Sequence, residues 1–89
     1  MIRTESEKIY QKSCAVIPGG VNSPVRAFGG LNLSPLIVES GFGDQIRDAD
    51  GHTFIDYCLS WGPLILGHAH PDVVRAASAQ MAKGSSFGI

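Results

Sequence analysis

Leu36-Ile37-Val38-Glu39, Gln45-Ile46-Arg47 and Thr53-Phe54-Ile55-Asp56-Tyr57 decide the fold. The first and third runs are rich in β-branched and aromatic residues, which suit a pleated surface. Pro35 opens the first run. Ser40-Gly41-Phe42-Gly43 lies between the first and second and predicts a turn. Asp48-Ala49-Asp50-Gly51 lies between the second and third, and Asp50-Gly51 is a strong hairpin signal. Three short strands joined by tight turns predict an antiparallel meander.

A helical pattern stands on each side. Over Thr4–Ile17, Tyr10, Cys14 and Ile17 recur at helical spacing, with Ile9 and Val16 widening the face. Thr4 followed by Glu7 has the form of a capping box, and Pro18-Gly19 ends the helix. The second helix is predicted over 71–83. Pro71 suits its first position, and Asp72 and Lys83 complement the helix dipole. Val74, Ala77, Ser78 and Met81 follow its period, and Gly84 is placed to cap it. The fold class is therefore α+β: an N-terminal helix, an arm, a three-stranded antiparallel meander and a second helix.

Composition narrows the function. The 89 residues are 44% hydrophobic and 17% charged, which is globular rather than disordered. A net charge of −1 with scattered basic residues offers no field for nucleic acid or acidic lipid. No apolar run is long enough to span a bilayer, and Met1–Lys8 lacks a signal-peptide core. A soluble, cytoplasmic protein is expected. Cys14 and Cys58 are too few for a disulfide scaffold, and with His52, His68 and His70 they fit no zinc spacing. No metal site is expected, and buried or partly buried thiols are. Asp44, Asp48, Asp50 and Asp56 do not read as a carboxylate cluster, because three of them lie in or beside turns, where Asp side chains bond their own backbone. The glycine pairs 19–20 and 29–30 lack the strand and helix that a phosphate-binding loop requires.

The arm carries the chemistry. Pro18-Gly19-Gly20-Val21-Asn22-Ser23-Pro24-Val25-Arg26-Ala27-Phe28 reads as a shaped, non-helical segment. Its glycines loosen the backbone, and Pro24 pushes Ser23 to an extended conformation. Arg26 offers a planar fork of donors suited to a carboxylate or phosphate. Taken alone, it reads as a surface residue lying over apolar neighbours. Trp61, the one tryptophan, precedes the bend at Gly62-Pro63 and taken alone reads as a core or interface residue.

The arm resembles the N-terminal signature of the glutamate-1-semialdehyde 2,1-aminomutase family, pyridoxal-phosphate enzymes of tetrapyrrole synthesis. Residues 50–63 and 67–88 resemble, more broadly, pyridoxal-phosphate aminotransferases of fold type I. The resemblance implies that Arg26 binds the substrate carboxylate, that Ser23 assists, and that Trp61 lies beside cofactor and substrate. It assigns no chemistry to His68 or His70, which are expected to serve packing and the start of the second helix. It implies a small amino-aldehyde substrate, a homodimer and pyridoxal phosphate as cofactor. It places the cofactor's lysine, its phosphate site and the carboxylate that meets its pyridine nitrogen in a large domain outside residues 1–89, and no catalytic residue within them. Lys8, Lys12 and Lys83 do not stand in that lysine's motif. The ending Gly84-Ser85-Ser86-Phe87-Gly88-Ile89 likewise suggests a piece of a longer protein, inactive alone. Two alternatives stay open: a class III aminotransferase acting on an ω-amino substrate, and a free-standing small interaction module.

Overall fold

Strands β1 (Val38–Phe42), β2 (Gln45–Asp48) and β3 (Thr53–Ile55) form one antiparallel sheet in the order β1-β2-β3. Helix α1 (Thr4–Val16) precedes them and helix α2 (Pro71–Met81) follows. The computed structural model describes all 89 residues. The α+β reading holds, with local differences that have physical causes.

The first strand lies later than its β-branched residues suggest. It runs through Ser40 and Gly41, with a register shift between Val38 and Ser40. The turn is the two-residue Gly43-Asp44, because Phe42 pairs with Gln45. Gly41 is a strand residue for a reason of space: an added Cβ would fall 2.8 Å from Cγ of the His68 ring. A glycine inside a strand marks such a close approach.

The second hairpin follows the Asp-Gly signal. The N–H of Asp48 donates to the His52 carbonyl at 3.0 Å, leaving Ala49-Asp50-Gly51 as the loop. Gly51 sits at φ +87, the left-handed position that a three-residue hairpin loop needs. Oδ1 of Asp48 accepts the N–H groups of Asp50 and His52 at 3.1 and 2.7 Å. Its Oδ2 lies 2.8 Å from His52 Nδ1. Burial of Asp48 works to raise its pKa, but the side-chain and backbone bonds of His52 outweigh this and hold it below the usual carboxylate range.

The capping box on α1 does not form. Thr4 is already helical, Arg3 occupies the cap position, and no local side chain caps the helix. Asp50 does so from the hairpin: Glu5 and Ser6 donate their N–H groups to its two carboxylate oxygens at 2.7 and 3.0 Å. A carboxylate reaching in from elsewhere satisfies two of the donors that every helix start leaves free. So the reading of Asp50 as bonding its own turn is corrected; Asp48 does bond its own, and Asp56, read within the third strand, instead bonds the backbone that follows it.

The arm is less extended than its prolines and glycines suggest. It contains two short 3₁₀ turns, Pro18–Gly20 and Pro24–Arg26. Ser23 between them is extended, at φ −149 and ψ 131, as Pro24 requires. The first turn folds back on α1, where the Tyr10 hydroxyl donates to the Gly19 carbonyl at 3.2 Å. Gly20 is buried there, with Cys14 Sγ and the Tyr10 ring each 2.6 Å from where a Cβ would stand.

No hydrophobic side chain is fully buried; Ser6, Gly20, Pro35 and Asp48 are the buried residues. Both cysteines are exposed, contrary to the expectation of buried or partly buried thiols. Every residue of α2 is exposed as well. The helix ends at Met81, two residues short of Lys83, with Gly84 left-handed at φ +103 just beyond. No helix is long and apolar enough to cross a membrane.

Candidate functional site

A cavity of about 520 Å³ opens between the arm, the sheet and the loop after β3. The second 3₁₀ turn supplies Val25 and Arg26, and Phe28 follows. Val38 of β1 and Ile46 of β2 line it with apolar side chains, and Cys58, Ser60 and Trp61 line it from the loop after β3. Asp56 and His68 complete it with one carboxylate and one imidazole. Mainly apolar walls with a few converging polar groups are what a small-molecule site needs.

The structure brings Arg26 and Trp61 to this one cavity. Arg26 is exposed and takes part in none of the four ion pairs of the chain. Its guanidinium keeps all its donors for another partner. Trp61 is 74% exposed, so it is not core packing within these residues. Ser23 does not line the cavity. Its carbonyl accepts the Arg26 N–H at 3.0 Å, so it starts the turn that carries the arginine.

Asp56 and His68 are the cavity residues that the sequence reading passed over. Oδ2 of Asp56 lies 2.6 Å from Nε2 of His68. Oδ1 accepts the N–H groups of Cys58 and Leu59 at 2.8 and 3.1 Å. The His68 ring, then these two backbone donors, hold the Asp56 carboxyl below the usual range. Nothing in a spacing of twelve residues announces this pair. The available signal was in the glycines: Gly41 and Gly67 leave room where the His68 segment crosses the hairpin. His70 serves the start of α2, as expected, accepting the Asp72 N–H on Nδ1 at 3.3 Å. No group of three or more His, Cys, Asp or Glu side chains stands together as a metal site.

The aminotransferase class-III family model matches residues 28–89. Glutamate-1-semialdehyde 2,1-aminomutase 2 of Lysinibacillus sphaericus is 57% identical over 84 residues, covering 94% of this chain and 20% of that protein. Glutamate-1-semialdehyde 2,1-aminomutase of Desulforapulum autotrophicum is 53% identical over 88 residues, covering 99% of this chain and 21% of its own length. A solved structure described as a transaminase with PLP bound superposes with a TM-score of 0.85 at 38% identity, over 100% of this chain and 20% of that one. The chain thus spans about a fifth of the length of the curated relatives it matches. All of the arm but Phe28 precedes the family-model match, yet it falls within the alignment to the second relative, so the resemblance read from it rests on a longer likeness than its eleven residues. The match over residues 28–89 takes in most of the chain, together with the sheet, the Trp61 loop and α2, and on that ground the chain belongs to the class III aminotransferase family.

Proposed function

We propose that the chain is the N-terminal part of a pyridoxal-phosphate-dependent glutamate-1-semialdehyde 2,1-aminomutase. The whole enzyme moves an amino group between adjacent carbons and yields 5-aminolevulinate for tetrapyrrole synthesis. Two aminomutase relatives above 50% identity support the reaction, and the placement of Arg26 carries the assignment of the site. An unpaired guanidinium beside apolar side chains and an indole suits a small substrate bearing one carboxylate. Ser23 sets the turn from which Arg26 projects, and Trp61 bounds the space. The protein is read as a cytoplasmic homodimer.

The cofactor supplies the electron sink for amino-group transfer when bound. Its covalent attachment needs a lysine amine. Lys8, Lys12 and Lys83 do not line the cavity, so these 89 residues do not fit the cofactor's anchor. Their part is to bind and orient substrate, and the 89 residues alone are expected to be inactive.

The test uses the full-length enzyme. Arg26→Ala lowers kcat/KM by roughly one to two orders of magnitude, the range for a lost hydrogen bond to a charged group. Arg26→Lys recovers part of this, because an ammonium cannot reproduce the planar fork. Ser23→Ala has the smaller effect. The cofactor's absorbance is unchanged in all three. Wild-type kcat/KM in a folded, cofactor-loaded Arg26→Ala enzyme overturns the assignment. A solved omega-transaminase from Sphaerobacter thermophilus, 31% identical with a TM-score of 0.79, favours the ω-amino alternative as second reading. Amino transfer between two separate molecules, with no 5-aminolevulinate formed, would select it.

A further inference from the structure

Trp61 is presented by backbone that L-residues avoid. Leu59, Ser60 and Trp61 have φ of +46, +59 and +68, and Gly62 follows at +97. In the left-handed region Cβ crowds the next carbonyl oxygen, so such residues usually occur singly. Three in series persist only where the surroundings over-determine them.

Asp56 and His68 supply that determination. Oδ1 of Asp56 accepts the N–H groups of Cys58 and Leu59, at the start of the left-handed run. Oδ2 meets His68 Nε2 at 2.6 Å, closing residues 57–67 into a loop at its base. His68 is itself held on the hairpin. Its N–H donates to the Gly43 carbonyl at 2.8 Å, and its carbonyl accepts the Gly43 N–H at 2.9 Å. Its ring rests against Gly41. The side chains of His68 and Asp56 are 20% and 13% exposed, so the pair is largely shielded from solvent at the base of the loop that carries Trp61.

We infer that Asp56 and His68 are a positioning pair, holding the left-handed turn at 59–62 so that Trp61 stands as a wall of the Arg26 cavity. The inference rests on the proposed reading of that cavity as the substrate site. Its support for the turn is structural and can be read without any reaction.

The experiment has two arms, both on the full-length, cofactor-loaded protein. In the first, tryptophans are replaced by 5-fluorotryptophan, and the Trp61 fluorine resonance is assigned by its loss in Trp61→Phe. Asp56→Ala shifts or broadens that resonance. Asp56→Asn restores it, because the amide oxygen accepts the same two N–H groups. His68→Phe, which keeps a ring over Gly41 but removes the bond to Asp56, also shifts it and carries the test if Asp56→Ala does not fold. An unmoved resonance in Asp56→Ala, or in His68→Phe where that variant carries the test, overturns the inference. So does a shift that Asp56→Asn fails to reverse. In the second arm, Asp56→Ala raises KM about three- to tenfold, a partial loss because Asp56 acts on substrate only through Trp61, with kcat within about twofold. Asp56→Asn returns KM towards wild type. A fall in kcat at constant KM would make the pair part of the chemistry and overturn the positioning role. A shifted resonance with unchanged KM and kcat upholds the support of the turn and counts instead against the cavity as the substrate site.

Discussion

The meander at 38–56 and helix α2 are both regular, but different forces shape them. In the meander, side-chain carboxylates fix the turns: Asp48 closes the second hairpin, Asp50 ties it to α1, and Asp56 starts the loop that carries Trp61. Helix α2 has no such ties. Its side-chain bonds are local, from the Asp72 N–H to His70, from Arg75 to Asp72 and from Gln80 to the Gly84 carbonyl, and all its residues are exposed. Yet the meander buries no hydrophobic side chain either; Phe42 and Ile55 are 69% and 58% exposed. Hydrogen bonds at turns choose a conformation, and burial of apolar surface stabilises it. Residues 1–89 contain the first without the second. The apolar side chains of both regions stay exposed or half-buried within these residues.

The largest expected effect tests that division directly. Residues 1–89 produced alone should melt without a cooperative transition, because a three-stranded sheet needs a packed face for independent stability. Calorimetry and amide resonance dispersion check this. A sharp transition in a monomer with dispersed resonances would break the contrast, since turn bonds alone would then suffice.

A second effect sharpens the account of the hairpin as a seat for the Trp61 loop. Gly67 is left-handed at φ +79, and a Cβ there would lie 2.6 Å from the Gly43 carbonyl oxygen. In the full-length protein, Gly67→Ala should lower stability by roughly 2–5 kcal/mol, left-handed strain adding to a displaced backbone. Gly30→Ala meets open space and should stay within about 0.5 kcal/mol. Denaturant unfolding of the two variants separates a crowded glycine from a merely flexible one.

These glycines also mark the limit of what the sequence discloses. Periodicity and turn residues place both helices and the second and third strands and announce the first, because those signals are local. Gly41 reads as a turn residue, because its reason for being glycine is a ring twenty-seven positions away. Thr4 and Glu7 read as a capping box, because the carboxylate that replaces it sits at position 50. Arg26 and Trp61 were found through a resemblance, and their meeting in one cavity depends on how arm and loop close over the sheet. Asp56 and His68 had no such help. Contacts between distant positions leave no periodic trace in a single chain.

The smallest effect concerns Asp50, the link between the meander and α1. Its burial works to raise its pKa, but the donors of Ser6 and Glu5 outweigh this, and the net value falls below the ordinary 3.8. The unfolded chain therefore binds the proton more readily than the folded one, and stability linked to Asp50 rises with pH. The contribution is complete above the ordinary value and is lost as pH falls through the lower folded value. Asp50→Ala should lower the Tm of the full-length protein by a few degrees at neutral pH, as loss of a helix cap does. Asp50→Asn keeps one acceptor oxygen for the Glu5 and Ser6 N–H groups and should lose less. The gap in Tm between wild type and Asp50→Asn should stay constant from pH 7 to about 5 and narrow below 3.8 as the wild-type carboxylate takes up its proton. Asp48 and Asp56 are also held low and titrate in both proteins, so comparing the two isolates position 50. A gap that stays constant through that acid range would mean that the charge of Asp50 does nothing for α1, and that the meander and the helix are joined by geometry alone.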